Sequence, residues 1–82
     1  MIEEDKSYQL IASYVKHKYF ISTAFRRAST IEEMWYFETI IWEWDFKVKK
    51  RGKMLDMENS GISEKQALDN HFKMIQKLIN ES

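Results

Sequence analysis

The 82-residue chain has no cysteine and no proline, and its only glycines are Gly52 and Gly61. Without cysteine there is no disulfide, no thiolate nucleophile and no zinc ribbon, a composition suited to a reducing cytoplasm. With so little proline and glycine there is no linker, repeat or low-complexity tract, so residues 1–82 are expected to form a single domain. No sign of charge dominates: 13 Lys and Arg stand against 13 Asp and Glu. Binding to nucleic acid therefore has to rest on a local patch, not a global field. The longest apolar run falls far short of a membrane span, which argues against a membrane partner. The first residues, "MIEEDKSYQL", lack the basic start and apolar run of a signal peptide. Together these absences predict a soluble cytoplasmic protein.

What the chain does have is aromatic surface. Six aromatics fall within "MWYFETIIWEWDF", Met34 to Phe46. At this length a chain is close to the lower limit for folding on its own core, so burying further area against a copy of itself or a partner would help. A homo-oligomer is one of the expected states.

The spacing predicts a helix from Glu3 to Lys18, with Tyr8–Ile11–Val15 and Leu10–Tyr14 on one stripe and three acids at its start. "KYFISTAFRRAS" alternates and is rich in aromatic and β-branched residues, which predicts a strand. Ala28–Glu33 is a polar connection in which Ser29 or Thr30 can cap a helical turn. Met34–Phe46 then reads as an interior strand. Tyr36, Glu38, Ile40, Trp42, Trp44 and Phe46 lie on one face, and Trp35, Phe37, Thr39, Ile41, Glu43 and Asp45 on the other. Lys47–Lys53 is expected to be a basic turn ending at Gly52 and closing a hairpin, and "MLDME" a short third strand. Ser63 should cap a C-terminal helix with Gln66 at the capping-box position. Its apolar stripe is Leu68, His71, Phe72, Ile75, Leu78 and Ile79. The expected fold is α+β, in the order α-β-β-β-α: about three antiparallel strands with an N-terminal and a C-terminal helix.

Three segments, "YFISTAFRR", "YFETIIWEWD" and "SEKQALDNHFKMIQKL", together resemble a family of small uncharacterised bacteriophage and prophage proteins. The positions that carry the resemblance are Ser22 and Thr23, then Phe37, Glu38 and Thr39, then Glu64, Ala67 and His71. Phe37 departs from the family's usual Tyr, and Asn70 from the Gly that often precedes the His. The likeness covers roughly the last three quarters of the chain. It implies a mobile-element setting in a host cell and no particular activity.

Several residues are candidates for function. Glu38 sits on a crowded face, where a carboxylate has to be paired or neutralised. His71 interrupts the apolar stripe of the C-terminal helix. If that helix lies across the face carrying Glu38, then Ser22, Glu38 and His71 form either a polar pocket for an anionic ligand or a structural hydrogen bond within the core. Trp35, Trp44 and Phe46, with Arg26, Arg27, Lys50 and Arg51, are candidate partner-binding residues, because Trp and Arg are enriched at interaction hot spots. Arg26 and Arg27 together with Lys47–Lys53 alternatively make a basic patch for nucleotide or nucleic acid.

No nucleophile–base–orienter set, metal-ligand spacing or phosphate-cradling glycine loop is evident, so no catalytic, cofactor or metal residues are expected. The functional expectation is a non-enzymatic phage or prophage interaction protein. It would bind and modulate, or inhibit, a host defence or regulatory protein. The alternative is a nucleotide- or nucleic-acid-binding protein.

Overall fold

The computed structural model describes residues 7–28 and 34–81. In chain order these form β1 (Tyr8–Val15), β2 (Tyr19–Ala28), β3 (Met34–Asp45), β4 (Lys50–Asn59) and the helix α1 (Glu64–Asn80). The strands make one antiparallel sheet in the order β1-β2-β3-β4, and α1 packs on one face, across β1, β2 and β3.

This corrects the expected architecture. Among the described residues there is no N-terminal helix; Tyr8–Val15 is an edge strand, so the order is β-β-β-β-α, with four strands and one helix. A bulge explains the misleading spacing. Tyr8 opposes Phe25 and Ile11 opposes Thr23, with the register shifting between Gln9 and Ile11. The extra residue puts Tyr8 and Ile11 on the same face three positions apart, a spacing that in a regular strand would separate them. The turn to β2 is concealed as well. Lys18 N–H donates to the Val15 carbonyl at 3.1 Å, and Lys16 and His17 both have positive φ, 54° and 58°. That is the type I′ hairpin geometry, normally signalled by Asn-Gly, here built from Lys and His.

β2 and β3 pair in register from Tyr19–Glu43 to Ala28–Met34, so β3 is the interior strand its composition predicts. Among the described residues, however, a helix covers it on one side only. The basic turn is also shorter than expected, since β4 begins at Lys50. The reversal over 46–49 is tied by Asp45 Oδ1, which accepts from Lys47 N–H at 2.9 Å. Gly52 falls inside β4, near two register shifts against β3. A Cβ there would stand 3.1 Å from the Glu43 carboxylate, so its lack of a side chain admits Glu43. The connection expected at Ser29 or Thr30 lies outside the described residues.

After β4 the chain stays attached to β3: Ser60 N–H donates to the Phe37 carbonyl at 2.7 Å, and Phe37 N–H to that of Gly61 at 2.8 Å. Ser63 caps α1 as expected, its hydroxyl accepting from Gln66 N–H at 3.2 Å. The helix is rotated from the anticipated stripe. Ala67, His71, Met74 and Leu78 are buried, whereas Phe72 and Ile79 are 55% and 48% exposed. Small Ala67 lets the helix approach the sheet, and His71 is drawn inward by hydrogen bonds. The main core is Val15, Ile21, Ile41, Met74 and Leu78, with Tyr19 and Ile75 against it. Burying each large aliphatic side chain contributes about 1.5–3 kcal/mol.

Candidate functional site

Cross-strand partners share a face, so the pairing assigns every strand residue either to the helix side or to the open side. On the helix side, near the start of β1, Phe25 stacks on Trp35 at 5.1 Å and meets Phe37 at 4.9 Å, while Tyr8 lies 5.4 Å from Phe25. A band of polar side chains separates these rings from the aliphatic core. His71 Nε2 is 3.0 Å from Ser13 Oγ, and its Nδ1 is 2.8 Å from Thr23 Oγ1. Thr23 Oγ1 continues to Thr39 Oγ1 at 2.6 Å, and Thr39 to Ser60 Oγ at 2.5 Å. Asn70 Nδ2 donates to Ser60 at 2.7 Å.

Thr23, Thr39 and His71 are fully buried. Burial pushes the His71 pKa down, and the neutral ring can donate from one nitrogen and accept at the other. Although Ser13–His71–Thr23 has the atom order of a nucleophile, base and orienter, the imidazole is sealed beneath α1. Its evident work is to satisfy polar groups and lock the helix to the sheet.

Among the described residues no helix lies over the open side. Tyr14, Phe20 and Trp44 form one ring cluster, with centroids 4.8 Å (Tyr14–Trp44), 5.1 Å (Tyr14–Phe20) and 5.8 Å (Phe20–Trp44) apart. Beside it Trp42 opposes Met54 and Ile40 opposes Met57, with both methionines exposed. The Arg51 guanidinium lies 4.8 Å from the Trp42 ring centroid, a cation–π contact. Tyr14 itself is 61% exposed. The result is a continuous apolar and aromatic surface spanning all four strands.

The sequence-selected residues divide between the two sides. Ser22 and Glu38 are on the open side and His71 is on the other, so the sheet separates them and no Ser22–Glu38–His71 pocket forms. Glu38 instead accepts from Tyr36 Oη at 2.9 Å and stands 3.8 Å from Arg26 Nε. The bond to the carboxylate raises the Tyr36 pKa. Trp44 and Arg51 belong to the open surface, as above. Trp35 is packed on the helix side, and Phe46 is an exposed turn residue 5.7 Å from the His17 ring. Lys50 opposes Asp45 at the edge.

Arg26 lies opposite Tyr36, seven residues along β2 from Tyr19, and so about 23 Å from the Lys50–Arg51 end of the sheet. The side chain of Arg27 lies outside the described residues. The basic patch is therefore split. Trp44 N–H donates to the Lys18 carbonyl at 2.9 Å, which brings the first turn to the same end of the sheet as Lys47, Lys49, Lys50 and Arg51. The ammoniums of that turn face the helix side, Lys16 Nζ on the Glu81 carbonyl at 2.8 Å and Lys18 Nζ 5.3 Å from the Tyr19 ring centroid, so only Lys50 and Arg51 stand with Trp44.

Sequence reasoning missed Tyr14, Phe20, Met54 and Met57 as surface residues, and Thr23, Thr39 and Ser13 as partners of His71. Their signal was parity. Two threonines at apolar positions of neighbouring strands, facing a helix that carries a histidine, mark a polar layer. No helix among the described residues is long and apolar enough to cross a membrane, and no three His, Asp or Glu residues there group as a metal site. Set against protein-family models, curated proteins and solved structures, the chain finds no match.

Proposed function

We propose that this chain is a small non-enzymatic binding protein that takes a partner protein on the open face of its sheet. The observation that carries this reading is the uncovered surface of Tyr14, Phe20, Ile40, Trp42, Trp44, Met54 and Met57, with Arg51 laid over Trp42. Aromatics, Met and Arg are the residues enriched in interface cores, and a contiguous apolar patch rimmed by charge marks an interaction site. The resemblance to phage and prophage proteins makes a host-cell protein the natural partner. Binding in the host cytoplasm would modulate or inhibit a defence or regulatory component.

The test is affinity capture from bacterial host extract by the wild type and by a Trp44→Glu/Met57→Glu variant. The expected result is a discrete partner held by the wild type, lost by the variant and kept by Arg26→Glu. Capture that is unchanged in the double variant, with its fold intact, removes the reading.

A second reading has its own observation. Lys50 and Arg51 line a shallow hollow with Trp44 at the turn end, an arrangement suited to stacking single-stranded bases and pairing their phosphates. Glu43 and Asp45 in the same region, and the zero net charge, weigh against it. It requires an oligonucleotide affinity that falls with salt and drops on Lys50→Glu/Arg51→Glu. Binding indifferent to salt, or none to oligonucleotides or nucleotides, excludes it.

A further inference from the structure

The two edges of the sheet are built differently. β4 carries Lys50, Arg51, Lys53, Asp56 and Glu58, contains Gly52 and has two register shifts. Such charges and irregularities keep an edge from pairing with another chain. β1, "YQLIASYV", has one bulge, near its start between Gln9 and Ile11, but is regular from Ile11 to Val15. It has no charge, glycine or proline over its eight residues, and no described strand pairs with its outer side.

The helix supplies a second apolar element beside this edge. At 100° per residue, Leu68, Phe72, Ile75 and Ile79 form a stripe about 100° around the axis from the buried Ala67–His71–Met74–Leu78 stripe. Contacts fix which way it faces. Asn70, on the opposite flank, bonds Ser60 beside β4, and Lys77 faces Leu55, Asp56 and Glu58 across a cleft. Glu64, on the same flank as the stripe, accepts from Tyr8 of β1 at 2.9 Å. The stripe therefore overhangs the uncharged edge, with Phe72 and Ile79 about half exposed.

We infer that this side of the molecule is a homodimer interface, in which β1 pairs antiparallel with β1 of a second copy. The sheet becomes eight-stranded and the apolar helix flanks meet above the junction. Antiparallel pairing of a strand with itself satisfies two-fold symmetry without any further requirement. Charge fits the same arrangement. α1 runs alongside β1 in the same direction, since Tyr8 reaches Glu64 at one end and Lys16 reaches the Glu81 carbonyl at the other. A two-fold axis near Ala12 brings Glu64 of one copy toward Lys16 of the other and sets Phe72 against Phe72.

Size is adequate too. An eight-residue strand of about 27 Å, in a layer of sheet plus helix roughly 18 Å thick, gives a face of about 490 Å² per copy. That is about 1,000 Å² in total, the lower limit for a specific interface. The open face is not consumed; two copies of it lie side by side on one surface.

Sedimentation equilibrium tests the inference. The wild type should show a reversible approach to twice the 10.0 kDa chain mass. Phe72→Glu and Phe72→Lys should each weaken self-association at least tenfold while keeping the wild-type circular dichroism. Because Phe72 meets its own counterpart, mixing the two variants should restore the dimer. Trp44→Glu, on the open face, should leave self-association unchanged. A wild type that remains monomeric to about 1 mM overturns the inference, as does a dimer indifferent to Phe72→Glu or a mixture that fails to associate. β1 amides protected from exchange only on adding a foreign strand-forming peptide also overturn it.

Discussion

Replacing Thr23 by Val tests whether the buried hydroxyl–imidazole chain holds the helix to the sheet. Thr23 Oγ1 is 2.8 Å from His71 Nδ1 and 2.6 Å from Thr39 Oγ1, and the residue has no solvent exposure. Val has nearly the same shape, so no cavity opens and the change is purely polar. Two hydrogen bonds are lost, at about 0.5–1.5 kcal/mol each, and His71 Nδ1 is left buried without a partner, at about 1–3 kcal/mol. Thr39 keeps its bond to Ser60. The expected cost is about 2–6 kcal/mol, a large part of the stability of a domain this small.

Urea unfolding followed by tryptophan fluorescence measures it, at one fixed protein concentration so that self-association does not intrude. Adding His71→Leu removes the stranded imidazole, so the double variant should be more stable than the sum of the two single losses by about 1 kcal/mol or more. A Thr23→Val cost under about 0.5 kcal/mol, or simple additivity, would show that the chain of hydroxyls does not act as a unit.

Other consequences follow from the same structure. Burial lowers the His71 pKa below its unfolded value of 6.5, so the unfolded state binds the extra proton first. Stability should be full above pH 6.5 and fall as the pH drops below it, and His71→Leu should flatten that slope in pH-dependent urea titrations. Replacing Lys16-His17 with Asn-Gly supplies residues that accept the positive φ of the first turn, and should raise stability by about 1 kcal/mol by thermal melting. At Gly61, φ is +92° and a Cβ would stand 2.6 Å from Gln66 Oε1, so Gly61→Ala should cost at least about 1 kcal/mol. Ile21→Ala, at the centre of the helix side, should cost about 2–5 kcal/mol, whereas Met57→Glu on the open side, where Met57 is 48% exposed, should cost below about 1 kcal/mol. Chemical denaturation compares these two directly.

The elements legible in the sequence were those with redundant local signals. β3 declared itself because thirteen residues make coherent faces only at a two-residue period, and α1 because Ser63 and Gln66 mark its start ahead of a long periodic run. β1 was hidden by its bulge, which imitates helical spacing, and by a turn with neither Asn nor Gly. Reading β1 as a helix supplies a cover for both faces of β3 and so hides the open face. The site suffered for the same reason. Pairing Glu38 with His71 required the helix to lie on the even-numbered face of β3, whereas Ala67 and the hydroxyls of Ser13 and Thr23 favour the odd one. The first turn reaches the basic end of the sheet only through the bond between Trp44 and Lys18, a contact between distant segments that no local pattern encodes.

The most direct measurement places a photo-crosslinking amino acid at Tyr14 on the open face, or at Gln76 on the outer surface of α1, in chains expressed within a bacterial host. Illumination of the Tyr14 chain should yield one discrete heavier adduct with a host protein, suppressed by Trp44→Glu, while the Gln76 chain yields none. No adduct from Tyr14, or the same adducts from both positions, would contradict the assignment of the open face as the surface through which this protein works.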